Sequence, residues 1–186
     1  PKSAQSGFGL VGTDFTLTAE LSDSLVYLAE VNLQVERGQS TAFEFDVERM
    51  YFRKTFKPTF NLQAGLFFTP IGYFNRNLYS RAWMMVSAQV PDLFEEELGL
   101  IPTHTVGLQL DGRFELPAGH RLEYTVSAGN GRAIDPVANV YARDDNPWRS
   151  ATAMLEWVLP GEHKDFRFGL SGWHDVIQTY RVSQMG

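Results

Sequence analysis

The residues best suited to chemistry in this chain are carboxylates set at every second position. Glu44, Asp46 and Glu48 follow one another in this way, and Glu20, Glu30, Glu36, Asp111, Glu115, Glu123 and Glu156 lie in stretches of similar pattern. Alternate side chains of an extended strand share a face, so this spacing lines one surface with negative charge. Where such a surface bounds water, rings of carboxylates favour cations. Gln109 shares that face, and the bases found there by alternation are Arg113 and Arg167. Arg49, Arg53 and Lys54 complicate the balance, because a bulge near Arg49-Met50 would turn some of them toward the acids.

Other chemistries have little support. Lipid hydrolysis or acyl transfer needs a nucleophile beside a base. His104 with Ser80 or Ser87 is the one candidate pair, and no Gly-x-Ser-x-Gly sequence accompanies it. The chain is therefore not expected to be an enzyme. His104, His120, His163 and His174 are scattered singly, without the spacing of a zinc site. Asp135, Asp144, Asp145 and Asn146 offer hard oxygen ligands but lack a calcium-loop pattern, and they read as a solvated loop. Gly129-Asn130-Gly131 precedes no helical pattern and is not a phosphate cradle. No metal and no cofactor are expected.

Composition narrows the classes further. Among 186 residues, 16 Lys and Arg stand against 22 Asp and Glu, giving a net charge of −6 with no Cys. No basic surplus is available to neutralise phosphates, so nucleic acid is not an expected partner. Disulfide scaffolds, thiolate metal sites and thiol catalysis are excluded. No run of about 18 apolar residues occurs, which excludes a spanning helix but not a membrane β-barrel.

The elements that must position the carboxylates read as strands. Residues 13–21 set Phe15, Leu17 and Leu21 against Thr16, Thr18 and Glu20. The same two-residue period runs through 25–36, 41–56, 60–69, 104–116, 121–129 and 149–159, and restarts at Phe166, Phe168 and Leu170. Most of the eight segments have about 9–13 residues, where soluble strands average roughly 5–6 and tilted membrane strands need about 9–11. Connections alternate between short turns and the long stretches 70–103 and 130–148, with 38–40 as an exception. Outer-membrane barrels have tight turns on one side and long loops on the other. Phe56, Phe60, Phe68, Tyr73, Phe74, Phe114, Trp148, Trp157, Phe166 and Trp173 fall where interfacial aromatic girdles belong, although Phe also fills sheets for its own β preference.

The segment Leu62-Gln63-Ala64-Gly65-Leu66-Phe67-Phe68-Thr69-Pro70-Ile71-Gly72-Tyr73-Phe74-Asn75 resembles the strand-to-loop passage of outer-membrane porins of the phosphate-selective-porin-like superfamily. Thr105-Val106-Gly107-Leu108-Gln109-Leu110-Asp111-Gly112 is similar to the strand that follows it there, and Gly129-Asn130-Gly131-Arg132 to the opening of a later external loop. The resemblance covers roughly residues 25–132 and implies a barrel of about 16 strands, twice the number legible here. It also implies a terminal aromatic residue, whereas the sequence ends in Met185-Gly186. Both departures lead us to expect about half of a porin. The acid-rich face argues against phosphate selectivity.

The fold expected is therefore all-β: an antiparallel transmembrane barrel over 1–186, incomplete, with the long loop 70–103 within it. Glu30, Glu44, Asp46, Glu48, Gln109, Asp111, Arg113, Glu123 and Arg167 are the expected pore lining. Arg76 and Arg81 at one end of the loop and Glu95, Glu96 and Glu97 at the other would set a transverse field if the loop folds inward; the plainer reading is an external loop. The expected function is passive diffusion of small hydrophilic solutes or ions, leaning toward cations, in a bacterial outer membrane. Its partners would be membrane lipid, the solutes and, as in many porins, two further copies forming a homotrimer. Two alternatives stand beside it. One is a narrow, filled eight-strand barrel with a structural or loop-binding role, and the other is a soluble β-barrel carrying a lipophile.

Overall fold

The computed structural model describes residues 12–37, 41–77, 101–131, 149–161 and 166–176. Alternating apolar and polar residues with many β-branched and aromatic side chains favour a pleated surface, and eight strands form. They are β1 (Gly12–Ser22), β2 (Leu25–Arg37), β3 (Thr41–Lys57), β4 (Phe60–Phe68), β5 (His104–Glu115), β6 (Arg121–Asn130), β7 (Arg149–Leu159) and β8 (Phe166–His174). All seven predicted ranges with stated bounds agree to within one residue at each end. A six-residue helix, α1 (Gly72–Asn77), follows β4.

The strands make one sheet in the order β1 to β8, each antiparallel to the next. Chain order and spatial order coincide, as expected where tight turns such as Asp23-Ser24 and Pro58-Thr59 join successive strands. Closure would require β8 to hydrogen-bond to β1. Among the described residues each of these strands pairs on one side only, so the sheet is open and the narrow closed eight-strand barrel does not form.

The two faces are inverted relative to a water-soluble sandwich. Phe45 is 72% exposed, Phe166 66% and Leu170 81%. Buried positions among the described residues are mostly polar: thirteen polar or charged side chains against six aliphatic or aromatic ones and two prolines, Pro70 and Pro102. Strand β7 shows the alternation of burial residue by residue, with Met154 and Val158 as the apolar members of its buried side. Ser150, Thr152, Met154, Glu156 and Val158 are buried, while Ala151, Ala153, Leu155 and Trp157 are exposed. Six exposed aromatics, Phe56, Phe60, Phe114, Trp157, Phe166 and Phe168, lie at the end of the sheet where the short turns are. Phe114 is opposite Leu122, Leu122 opposite Trp157, and Trp157 opposite Phe168, making one apolar row across four strands. Phe56 and Phe60 pack together at the same end, with ring centroids 5.4 Å apart.

A row of glycines lets neighbouring backbones approach at the middle of the sheet. Gly65 pairs with Gly107, and Gly107 with Gly129. Gly65 has φ +136°, and a Cβ there would lie 2.2 Å from the Met50 carbonyl oxygen. Glycine inside a strand commonly marks such a bend or close approach.

Candidate functional site

The recessed polar face is a set of ion pairs that reach across strands. The Arg53 guanidinium on β3 donates to both carboxylate oxygens of Asp111 on β5, at 2.5 and 2.6 Å, passing over β4. From β4, the Asn61 amide donates to the Asp111 backbone oxygen at 3.1 Å and to its carboxylate at 3.3 Å. Arg49 donates to the buried Glu30 carboxylate on β2 and stands 5.1 Å above the Phe68 ring. His104 Nε2 lies 3.1 Å from Glu48, and its ring packs on Phe68 with centroids 5.0 Å apart. Glu123 accepts from Arg167 at 3.0 Å and lies 3.6 Å from Arg121. Carboxylates withdrawn from water are costly unless paired, which is why each of these has a basic or polar neighbour.

A bulge supplies two of these bases. Glu30 pairs with Arg49 but Val31 pairs with Val47, so Glu48 is the extra residue on β3. One extra residue exchanges the faces of everything beyond it. Phe45 is outward before the bulge; after it, Met50 and Phe52 are exposed while Arg49 and Arg53 join the acids. The bulge expected near Arg49-Met50 thus lies at Glu48. The polar face also carries more bases than Arg113 and Arg167, since Arg49, Arg53, Arg76 and Arg121 all pair there.

Helix α1 lies over this face. The Gly72 amide donates to Ser171 Oγ on β8 at 2.9 Å, although β8 is four strands from β4 in the ladder. Arg76 Nη1 donates to Glu156 on β7 at 2.6 Å, and Arg167 Nη1 lies 4.0 Å from the same carboxylate. Glu156 is seven residues from the start of β7 at Arg149 and three from its end at Leu159, so Arg76 reaches inward from the loop end. The sheet must curl for one helix to touch both its fourth and eighth strands.

Two recesses of about 360 and 210 Å³ lie along the polar face and share Arg53, Arg76 and Asp111. Arg113, Glu123 and Tyr124 line the first, and Arg49, Tyr51, Gln63 and Gln109 the second. Such walls suit water and small polar solutes. Among the described residues no group of three His, Asp or Glu is arranged to hold a metal ion.

The chain matches no family model, no curated protein and no solved structure.

Of the residues expected to line a pore, Glu30, Glu48, Asp111, Glu123 and Arg167 stand on the polar face in the pairs above. Gln109 lines the second recess. Asp46 is half-buried opposite Asn32. Glu44 pairs with Gln34 through the backbone, and its side chain lies outside the described residues. Arg113 lines the first recess but is largely exposed, with Glu115 at 3.2 Å. Arg76 is brought to the face, whereas Arg81, Glu95, Glu96 and Glu97 lie outside the described residues, as do Asp135, Asp144, Asp145, Asn146 and His163. Phe68, which the alternation sets among the apolar residues of its strand, is instead 7% exposed, packed against Arg49 and His104, whose side chains cover its ring.

Sequence reasoning passed over Asn75. Its side chain is fully buried and donates to the backbone oxygens of Thr69 and Thr103, both at 2.9 Å. The only signal was its position within the segment that resembles a porin strand-to-loop passage, because no periodicity marks a helix of six residues.

Proposed function

We propose that this chain is part of an outer-membrane porin through which small hydrophilic solutes or ions diffuse passively. The observation that carries the reading is the inversion of faces: the exposed side of the sheet is apolar and the recessed side holds paired charges and polar groups. A bilayer rewards the first, and a water-filled lumen the second. Strands of 9 to 17 residues are long enough to cross. The cross-strand row of Phe114, Leu122, Trp157 and Phe168 suits an interface belt at one end. A lipophile carrier would need the opposite inner lining.

The lumen would separate solutes by size and by a modest charge preference. Glu30, Asp111, Glu123 and Glu156 share their charge with arginines, which leaves a weaker cation bias than the count of acids alone implies. The side chains of Arg76 and Glu156 would narrow the path where α1 covers the face. Lipid would contact the apolar side, and a trimer would bury part of that side between copies. The natural setting would be a bacterial outer membrane.

Single-channel recording of the natively extracted protein in a planar bilayer under a KCl gradient tests this. Stable conductance steps with a reversal potential on the cation side are expected. A correctly inserted, heat-modifiable protein that stays silent would overturn the reading, as would a monodisperse protein needing no detergent.

A further inference from the structure

We propose that Asn75 is the positioning residue that holds α1 against the polar face and so delivers Arg76 to Glu156. The inference rests on the porin reading for its functional consequence but not for its geometry. Asn75 is fully buried, and one amide nitrogen serves two acceptors: the Thr69 oxygen just after β4 and the Thr103 oxygen just before β5. The same two chain segments are joined by the Thr69 amide donating to the Thr103 oxygen at 2.9 Å. A buried contact of 2.8 Å between the hydroxyls of Thr69 and Thr105 adds a third link. Residues 69 and 103 therefore form one fixed base, and Asn75 ties the helix to that base.

Chemistry permits few substitutes. Both acceptors are carbonyl oxygens, so the position needs an NH₂ group with two hydrogens and a short stem. Aspartate would set a carboxylate oxygen against two carbonyl oxygens. Arg76 is the next residue, and on a helix adjacent side chains point in different directions. With Asn75 turned into the base, Arg76 is free to extend over the sheet toward Glu156. There it meets a carboxylate that also has Arg167 at 4.0 Å and lies opposite Glu123 in the ladder. Glu156 has a side-chain exposure of 4%, against 32% for Arg76, so the acid is the fixed partner and the arginine the arriving one.

The test compares Asn75→Ala, Asn75→Asp, Arg76→Ala and the double variant Asn75→Ala/Arg76→Ala in the full chain, each first shown to be heat-modifiable. The sequence has no Cys, so spin labels at Asn77→Cys and His174→Cys report directly on the helix-to-β8 distance. We expect the Asn75 variants to broaden and lengthen that distance. They should also shift reversal potential in the same direction as Arg76→Ala, with the double variant no further shifted than the larger single one. A distance unchanged by both Asn75 variants would overturn the proposal. So would a double variant whose shift is the sum of the two singles, since Asn75 would then act independently of Arg76. If the parent protein conducts no ions, the porin reading fails while the label distances still decide the role of Asn75.

Discussion

Arg53 and Asp111 form a two-point ion pair that spans three strands, from β3 over β4 to β5. Strands two apart in a sheet are about 9–10 Å from one another, so only a long side chain on a curled sheet makes this contact. Asn61 on the intervening strand completes the cluster by donating to Asp111. Asp111→Asn keeps the shape but removes the charge that Arg53 needs. A loss of about 2 kcal/mol is expected, seen as a lower denaturant midpoint for unfolding.

Exposed apolar residues and their recessed neighbours should respond in opposite ways to charge. Leu108→Arg and Phe45→Arg place a cation on the outward side, and near a bilayer midplane each is expected to cost about 2–4 kcal/mol. Val31→Arg belongs with them by register, since Val31 is opposite Phe15 on the outward face. Gln109→Ala on the recessed side should cost less than about 1 kcal/mol. Equilibrium unfolding in vesicles measures all four, and the reverse ranking would mean that the outward face meets water.

Gly65 is a point where substitution tests the curl of the sheet. Alanine there combines a left-handed φ of +136° with a 2.2 Å approach to the Met50 oxygen, so β3 and β4 must separate. A cost of about 2 kcal/mol or more is expected. Gly172 on β8 has nothing within 4 Å of an added Cβ, and Gly172→Ala should fall within about 0.5 kcal/mol of the parent. Thermal stability compares the two directly.

Neutralising the acids around the bulge probes selectivity rather than stability. Asp46→Asn with Glu48→Gln removes two negative charges from the polar face while leaving Arg49 bound to Glu30. Under a KCl gradient the reversal potential is expected to move toward chloride, because fewer fixed carboxylates attract cations. An unchanged potential in a conducting channel would remove both residues from the ion path.

The strands were legible in sequence because a two-residue period survives wherever one face differs from the other in polarity. Phe15, Leu17 and Leu21 on β1, or Ala151 to Trp157 on β7, announce their side regardless of what covers it. The period cannot say which side meets water, so alternation alone left a soluble carrier open. The bulge was anticipated from the clash between Glu48 and the Arg49 to Lys54 run, since continuing the alternation would have sent Arg49 and Arg53 outward beside Phe45.

What the sequence by itself determined is the set of strands, their antiparallel succession, and the sorting of acids to one face. These depend on residues within a few positions of each other. Only the tertiary structure decided which charges neutralise which. Arg53 meets Asp111 from 58 residues away and Arg76 meets Glu156 from 80, through curvature that no local pattern encodes. It also decided that the eight described strands stay open, because closure depends on whether the edges of β1 and β8 reach each other. The inward course of α1 belongs with these, fixed by Asn75 bonding to two backbone oxygens that are adjacent only after β4 and β5 have paired.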